Sequence, residues 1–217
     1  MNAYLIDSDG KVTIVDTGTP GKVPALMAAL AEIGRSGQEV GRIILTHLHF
    51  DHAGSAAALR ERIEAPVSMH GEDAALIREG RAARPFSPAP RLWARLAAAG
   101  MGAVPQQVDP VPVEEELSDG AVLPSVRDAR VIHVPGHSAG QIALLLPQDG
   151  GLLIAADAAT HFLRLDYPPI FEDLEQGRQS LRRLAGESFS IACFGHGRPV
   201  RERGAEHFAR RFGGVAP

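Results

Sequence analysis

One seven-residue run constrains this chain more than any other feature: Thr46-His47-Leu48-His49-Phe50-Asp51-His52. It follows Arg42–Thr46, which reads as a short, buried strand. It precedes an Ala-rich helix expected from about Ser55 to Ile63. In extended backbone, residues i and i+2 point to the same side, so His47 and His49 can reach one metal ion. Asp51 and His52 lie where the chain turns into the helix and can face a second position beside the first. Three imidazoles and one carboxylate suit zinc, iron, manganese or cobalt rather than calcium or magnesium. The whole architecture must then serve to bring further ligands to this run.

Three later positions supply them. His137 follows the apolar stretch Val131–Val134, Asp157 follows Leu152–Ala155, and His196 follows Ile191–Phe194. Each ligand-type residue stands just beyond a strand, and strand ends on one edge of a sheet are where α/β-type proteins assemble sites. The nine histidines stand against a single cysteine, Cys193, so no internal disulfide and no cysteine-rich zinc site can form. Cys193 reads as a buried strand residue. The formal charge of −4 argues against a nucleic-acid partner. The sequence has no apolar run long enough for a transmembrane helix, and its N-terminus does not read as a signal peptide. The expectation is a cytoplasmic, enzyme-sized protein with a small-molecule substrate and no membrane partner.

Elsewhere the chain reads as strands followed by helices, twice over. Tyr4–Ile6 and Val12–Val15 form an opening hairpin around the turn residues Asp7–Gly10. A helix over Val23–Ile33 places Leu26, Leu30 and Ile33 on one face, with Gly34 as its stop. A strand at Pro66–Met69 and a helix at Glu72–Arg78 follow. The Pro-rich segment at about 84–112, around one helix at Arg91–Ala97, reads as a lid-like insertion in a single domain spanning 1–217. Strands at Val131–Val134, Ile142–Leu146, Leu152–Ala155 and Ile191–Phe194, with helices at Leu174–Leu184 and Glu202–Arg211, complete a layered α+β order.

The pattern His47-x-His49-x-Asp51-His52, then His137, Asp157 and His196, resembles the metallo-β-lactamase fold over nearly the whole chain. The resemblance implies a four-layer αββα sandwich. It assigns one metal to His47, His49 and His137, and a second to Asp51, His52 and His196, with Asp157 bridging the two. Two zinc ions are the first choice, iron or manganese the alternatives. Asp16, after the opening hairpin, and His133 would lie behind the ligands, Asp16 steadying their loop. Asp51 and Asp157 would be catalytic, Asp51 passing a proton to the leaving group.

Within the family the chain looks most like small glyoxalase II-like thioesterases and lactonases. The expected reaction is hydrolysis of a small ester, thioester or lactone. Lactonases of the family often have Tyr three residues after the bridging Asp, where this chain has Thr160. Trp93, Thr160, His161 and Tyr167 are the candidate substrate contacts. The alternatives are a mononuclear iron persulfide dioxygenase, a nuclease of the same fold, and a serine esterase. The last rests on Gly136-x-Ser138-x-Gly140, which matches a nucleophile elbow, but a strand rather than a helix is expected after it. Family members also carry strands ahead of the Asn2-x-Tyr4-Leu5-Ile6 segment. A sheet edge left bare there would favour a homodimer.

Overall fold

The computed structural model describes residues 1–90, 94–96, 99 and 105–214. Its first sheet has the order β1-β2-β3-β4-β6, built from Tyr4–Ser8 (β1), Lys11–Val15 (β2), Val40–Ile44 (β3), Val67–His70 (β4) and Glu115–Leu117 (β6). β1 and β2 are the expected antiparallel hairpin, and β2, β3, β4 and β6 run parallel. The second sheet has the order β14-β10-β9-β8-β7. Its strands are Val122–Leu123 (β7), Ala129–His133 (β8), Ile142–Leu146 (β9), Leu152–Ile154 (β10) and Ile191–Cys193 (β14). Two short pairs lie outside the main sheets. Ser87–Pro88 (β5) pairs with Ile170–Phe171 (β13), and Thr160–His161 (β11) pairs with Leu165–Asp166 (β12).

Side chains alternate across each strand, and the alternation makes the layers. Val12, Ile14 and Ile43 face outward onto the helices Val23–Glu32 (α1), Ala56–Ile63 (α3) and Gly71–Ile77 (α4). Their neighbours Val15 and Ile44 face inward and meet Val131, Ile142, Leu144 and Ile154 of the second sheet. On that sheet's far side, Ile132, Leu153 and Ala192 pack against Leu174–Ala185 (α5) and Gly204–Phe212 (α6) through Leu181, Leu184, Phe208 and Phe212. The result is a four-layer αββα sandwich. Each fully buried large aliphatic or aromatic side chain contributes about 1.5–3 kcal/mol.

Strand direction decides where a site can form. β8 and β10 both run antiparallel to β9, and β14 runs parallel to β10, so β8, β10 and β14 end on the same edge of their sheet. β2 and β3 end together on the first sheet. The two edges are joined at this end by a hydrogen bond from the Ile142 amide to the Thr46 carbonyl, 2.9 Å.

One expectation needs correction. Ile33 is 48% exposed, because α1 ends at Glu32 and Ile33 caps it instead of extending its buried face. The stretch after Gly140 is strand β9, and Ser138 is fully buried with its Oγ hydrogen-bonded to Asp73, so no nucleophile elbow exists there. In the segment at 84–112, Phe171 packs with Ala89 and Ala94, and Val111 joins the core under the first sheet. Residues 94–96 are helical, while Trp93 lies outside the described residues. Among the described residues no helix is long and apolar enough to cross a membrane.

Candidate metal centre

The run after β3 is held in place before any ion is considered. Leu48 is fully buried in the core beneath the first sheet, which turns His47 and His49 together away from it. The short helix Phe50–Ala53 (α2) then begins with His49 as its N-cap, and this turn carries Asp51 and His52 to the neighbouring position. His47 Nε2 lies 3.1 Å from His49 Nδ1, and their rings stand edge to face with that of His137.

The later ligand-type residues arrive from the second sheet. His137 follows β8, and its Nδ1 lies 3.0 Å from the Ile170 carbonyl, which leaves Nε2 facing inward. Asp157 sits in a single 3-10 turn after β10, behind Ala156, whose φ is +47°. A non-glycine residue in the left-handed region costs about 1 kcal/mol or more, and such strain gathers at sites that over-determine it. His196 follows β14. Its predecessor must be small: a Cβ on Gly195 would collide with Asp157 Oδ1 and lie 2.7 Å from His52 Cε1.

Three sets of ligand atoms converge, each within 4.8 Å of one another: His47, His49 and His137; His47, His52 and Asp157; Asp51, His52 and His196. Asp157 lies between the two outer sets. Its Oδ1 is 3.5 Å from His52 Nε2, and its Oδ2 is 3.5 Å from His137 Nε2 and 3.4 Å from His196 Nε2. Asp51 Oδ2 is 3.1 Å from His196 Nε2.

The donor set fits metal cations. His52 Nε2, His137 Nε2 and Asp157 Oδ1 are buried and have no hydrogen-bond partner. Buried polar atoms left so are costly, and cations held by the sets to which these atoms belong would satisfy them. Burial holds the His47 imidazole well below its ordinary pKa, with the neighbouring imidazoles adding to it. Burial likewise takes His49 down to about 3. Both are therefore neutral, the form that ligates. Burial opposes ionisation of Asp51, but the His196 hydrogen bond and the His52 charge outweigh it and hold the carboxyl at about 2. Asp157 is held lower still: its imidazole neighbours, His52 first, overcome the cost of burial.

Asp16 reaches His52 and Thr46 from behind the cluster. Its Oδ2 is 2.8 Å from His52 Nδ1, and its Oδ1 accepts the Thr46 amide at 2.8 Å. It sits at the end of β2 with φ +62°, a conformation that Asp tolerates better than most residues. His133 stands elsewhere. Its ring stacks on His70 at 3.9 Å, and its Nε2 is 2.8 Å from the Ala139 carbonyl. The His161 amide donates to the His196 carbonyl at 3.2 Å, and its ring Nδ1 lies 2.9 Å from the Arg198 carbonyl. Thr160 is buried, and its Oγ1 donates to the Tyr167 carbonyl. The Tyr167 ring packs with Phe171 and Phe212, with the Arg211 guanidinium over its face.

Several residues were not foreseen. Phe50, Ala82, Ala83, Phe86, Pro105 and Ile170 wall a recess that opens on His49 and Asp51. Asp73 is buried and accepts the amides of Leu48 and Gly140. An acidic residue in the first turn of a helix is ordinarily only a favourable partner for the helix dipole, so nothing local marked it.

The family model of the Metallo-beta-lactamase superfamily matches residues 2–196. The chain belongs to this superfamily. Among curated relatives, YobT of Bacillus subtilis (strain 168) is 27% identical over 213 residues, covering 93% of this chain and 84% of that one. A hydroxyacylglutathione hydrolase of Cereibacter sphaeroides (strain ATCC 17025 / ATH 2.4.3) is 28% identical over 199 residues, covering 89% of this chain and 61% of that one. Among solved structures, a metallo-beta-lactamase family protein of Thermus thermophilus superposes with a TM-score of 0.69 at 29% identity, covering 96% of this chain and 73% of that one.

Proposed function

We propose that this superfamily member is a two-metal hydrolase of a small ester, thioester or lactone, with zinc as the first choice of ion. One observation carries the reading. The Asp157 carboxylate lies between an all-imidazole set and an Asp51/His52/His196 set, with one oxygen or the other within 3.5 Å of His52, His137 and His196. Bound there, two divalent ions would lower the pKa of a shared water toward about 7 and polarise the carbonyl under attack.

The chain's own residues do the rest. Asp157 stays anionic and sits between the two positions, and Asp16 orients His52 through its Nδ1. The recess beside His49, walled by Phe50, Phe86, Pro105 and Ile170, is apolar and small, about 30 Å³, and takes only a small apolar group of the substrate. The Asp51 carboxylate takes the proton that the attacking water gives up as its oxygen bonds to the carbonyl carbon, and hands it to the leaving group as the bond to that group breaks. A pKa of about 2 suits a ligand better than an acid, so Asp51 holds that proton only in passing. The similarity to a hydroxyacylglutathione hydrolase supports the thioester choice within the class.

The test is a panel of thioester, lactone, phosphodiester and persulfide substrates, run on metal-stripped and zinc-reconstituted protein. Turnover of a thioester, ester or lactone that vanishes on stripping and returns with zinc is expected. Sulfur-dependent oxygen uptake with one iron per chain would overturn the hydrolase reading.

A further inference from the structure

The helix α4 lies outside the ligand sets, yet one of its side chains reaches both loops that carry the all-imidazole set. Asp73 is fully buried. Its Oδ2 accepts the Leu48 amide at 3.0 Å and the Ser138 hydroxyl at 2.5 Å. Its Oδ1 accepts the Gly140 amide at 3.0 Å and Arg84 Nη1 at 2.6 Å. Leu48 stands between His47 and His49, and Ser138 follows His137 directly. One carboxylate therefore spans the two loops.

A second carboxylate completes the arrangement. Glu172 Oε2 accepts the Ala139 amide at 2.7 Å and lies 3.4 Å from Arg84 Nη1. Each of the three residues after His137 is thus held, Ser138 and Gly140 by Asp73 and Ala139 by Glu172. Position 140 admits nothing larger than glycine, since a Cβ there would lie 2.6 Å from the Asp73 Cγ. A buried carboxylate needs a charge partner and full hydrogen bonding, and Arg84 supplies the charge between the two acids.

We propose that Asp73, with Arg84 and Glu172, is a positioning brace that fixes the His47/His49 loop against the His137 loop, so that the all-imidazole set is in place before its ion arrives. The inference rests on the two-metal reading above. In this arrangement ion binding need not order two separate loops, and the ordering cost is met in folding. Asp16 orients His52 and also accepts the Thr46 amide and hydroxyl, whereas Asp73 has no hydrogen bond to Asp51, His52 or His196 among the described residues.

The test is zinc affinity of the full chain, measured by competition with a chromophoric chelator, for wild type and Asp73→Asn. Asparagine keeps the shape but has one acceptor oxygen in place of two, so its NH2 meets either the Leu48 amide and Ser138 hydroxyl or the Gly140 amide and Arg84. One of the two ions should bind about 10–100-fold more weakly, in the range seen for groups that orient ligands. The second ion should keep its affinity. Cobalt-loaded Asp73→Asn should show altered visible absorption from only one of its two ions. A folded Asp73→Asn protein that binds both ions with wild-type affinity, or loses both equally, would overturn the brace. If Asp73→Asn does not fold, Ser138→Ala and Glu172→Gln each remove one arm and should weaken the same single ion. No weakening in either folded variant would overturn the proposal. A wild-type chain holding only one ion contradicts the two-metal reading instead. The brace then predicts weaker binding of that ion in Asp73→Asn, and unchanged binding refutes it.

Discussion

The half of the molecule up to β6 brings His47, His49, Asp51 and His52 within six consecutive residues, whereas the half from β7 onward brings His137, Asp157 and His196 on three separate strand ends. The first half makes its contribution by local geometry: an extended step, a buried Leu48 and a helical turn. The second half makes it by topology, because β8, β10 and β14 end on one edge. Local geometry can place ligands for two neighbouring positions, but neither is complete without a residue from the other sheet. Each of the two outer sets therefore draws on both sheets of the sandwich.

This contrast can be broken most forcefully at Asp157, which lies between both outer sets. Asp157→Ala should lower kcat/KM by more than about 100-fold, beyond the range for residues that only orient ligands, and should leave fewer than two ions per chain. Wild-type turnover in that variant would break the idea that the second half completes both positions. Next come single ligands on either side. His49→Ala should remove the ion of the all-imidazole set and His196→Ala the other, so that elemental analysis gives about one ion per chain in each. Equal loss of both ions from either variant would mean that the two positions are not separable.

Smaller effects sharpen the contrast. Asp16→Asn keeps every ligand but disturbs the grip on His52 and on the Thr46 amide, and should weaken metal binding about 10–100-fold as read by chelator competition. His133→Gln keeps an N–H that can donate to the Ala139 carbonyl and should leave kcat/KM within about twofold of wild type. Its ring stacks on His70 rather than on a ligand. A larger loss there would restore the expectation that His133 supports the centre.

The same contrast explains what could be read without coordinates. His47, His49, Asp51 and His52 were legible because their spacing is itself the geometry. His137, Asp157 and His196 were legible because each follows an apolar strand, and the order of strands then helices, twice over, pointed to a layered α+β fold. Asp73 was not legible. Its partner Ser138 lies 65 positions away, and only the packing of α4 against the His137 loop joins them. Glu172 and Arg84 are 88 positions apart and were hidden for the same reason. Ile33 failed because helical spacing says which face a residue would take, not whether the helix reaches it.

The central claim is that two metal positions lie side by side with Asp157 between them. Anomalous diffraction at the zinc edge, from crystals of the full chain grown with zinc, tests it directly. The account predicts two peaks about 3.5–4 Å apart, one at His47, His49 and His137, the other at Asp51, His52 and His196, with the Asp157 carboxylate between them. A single peak at full occupancy, with either set left without an ion in excess zinc, would contradict it.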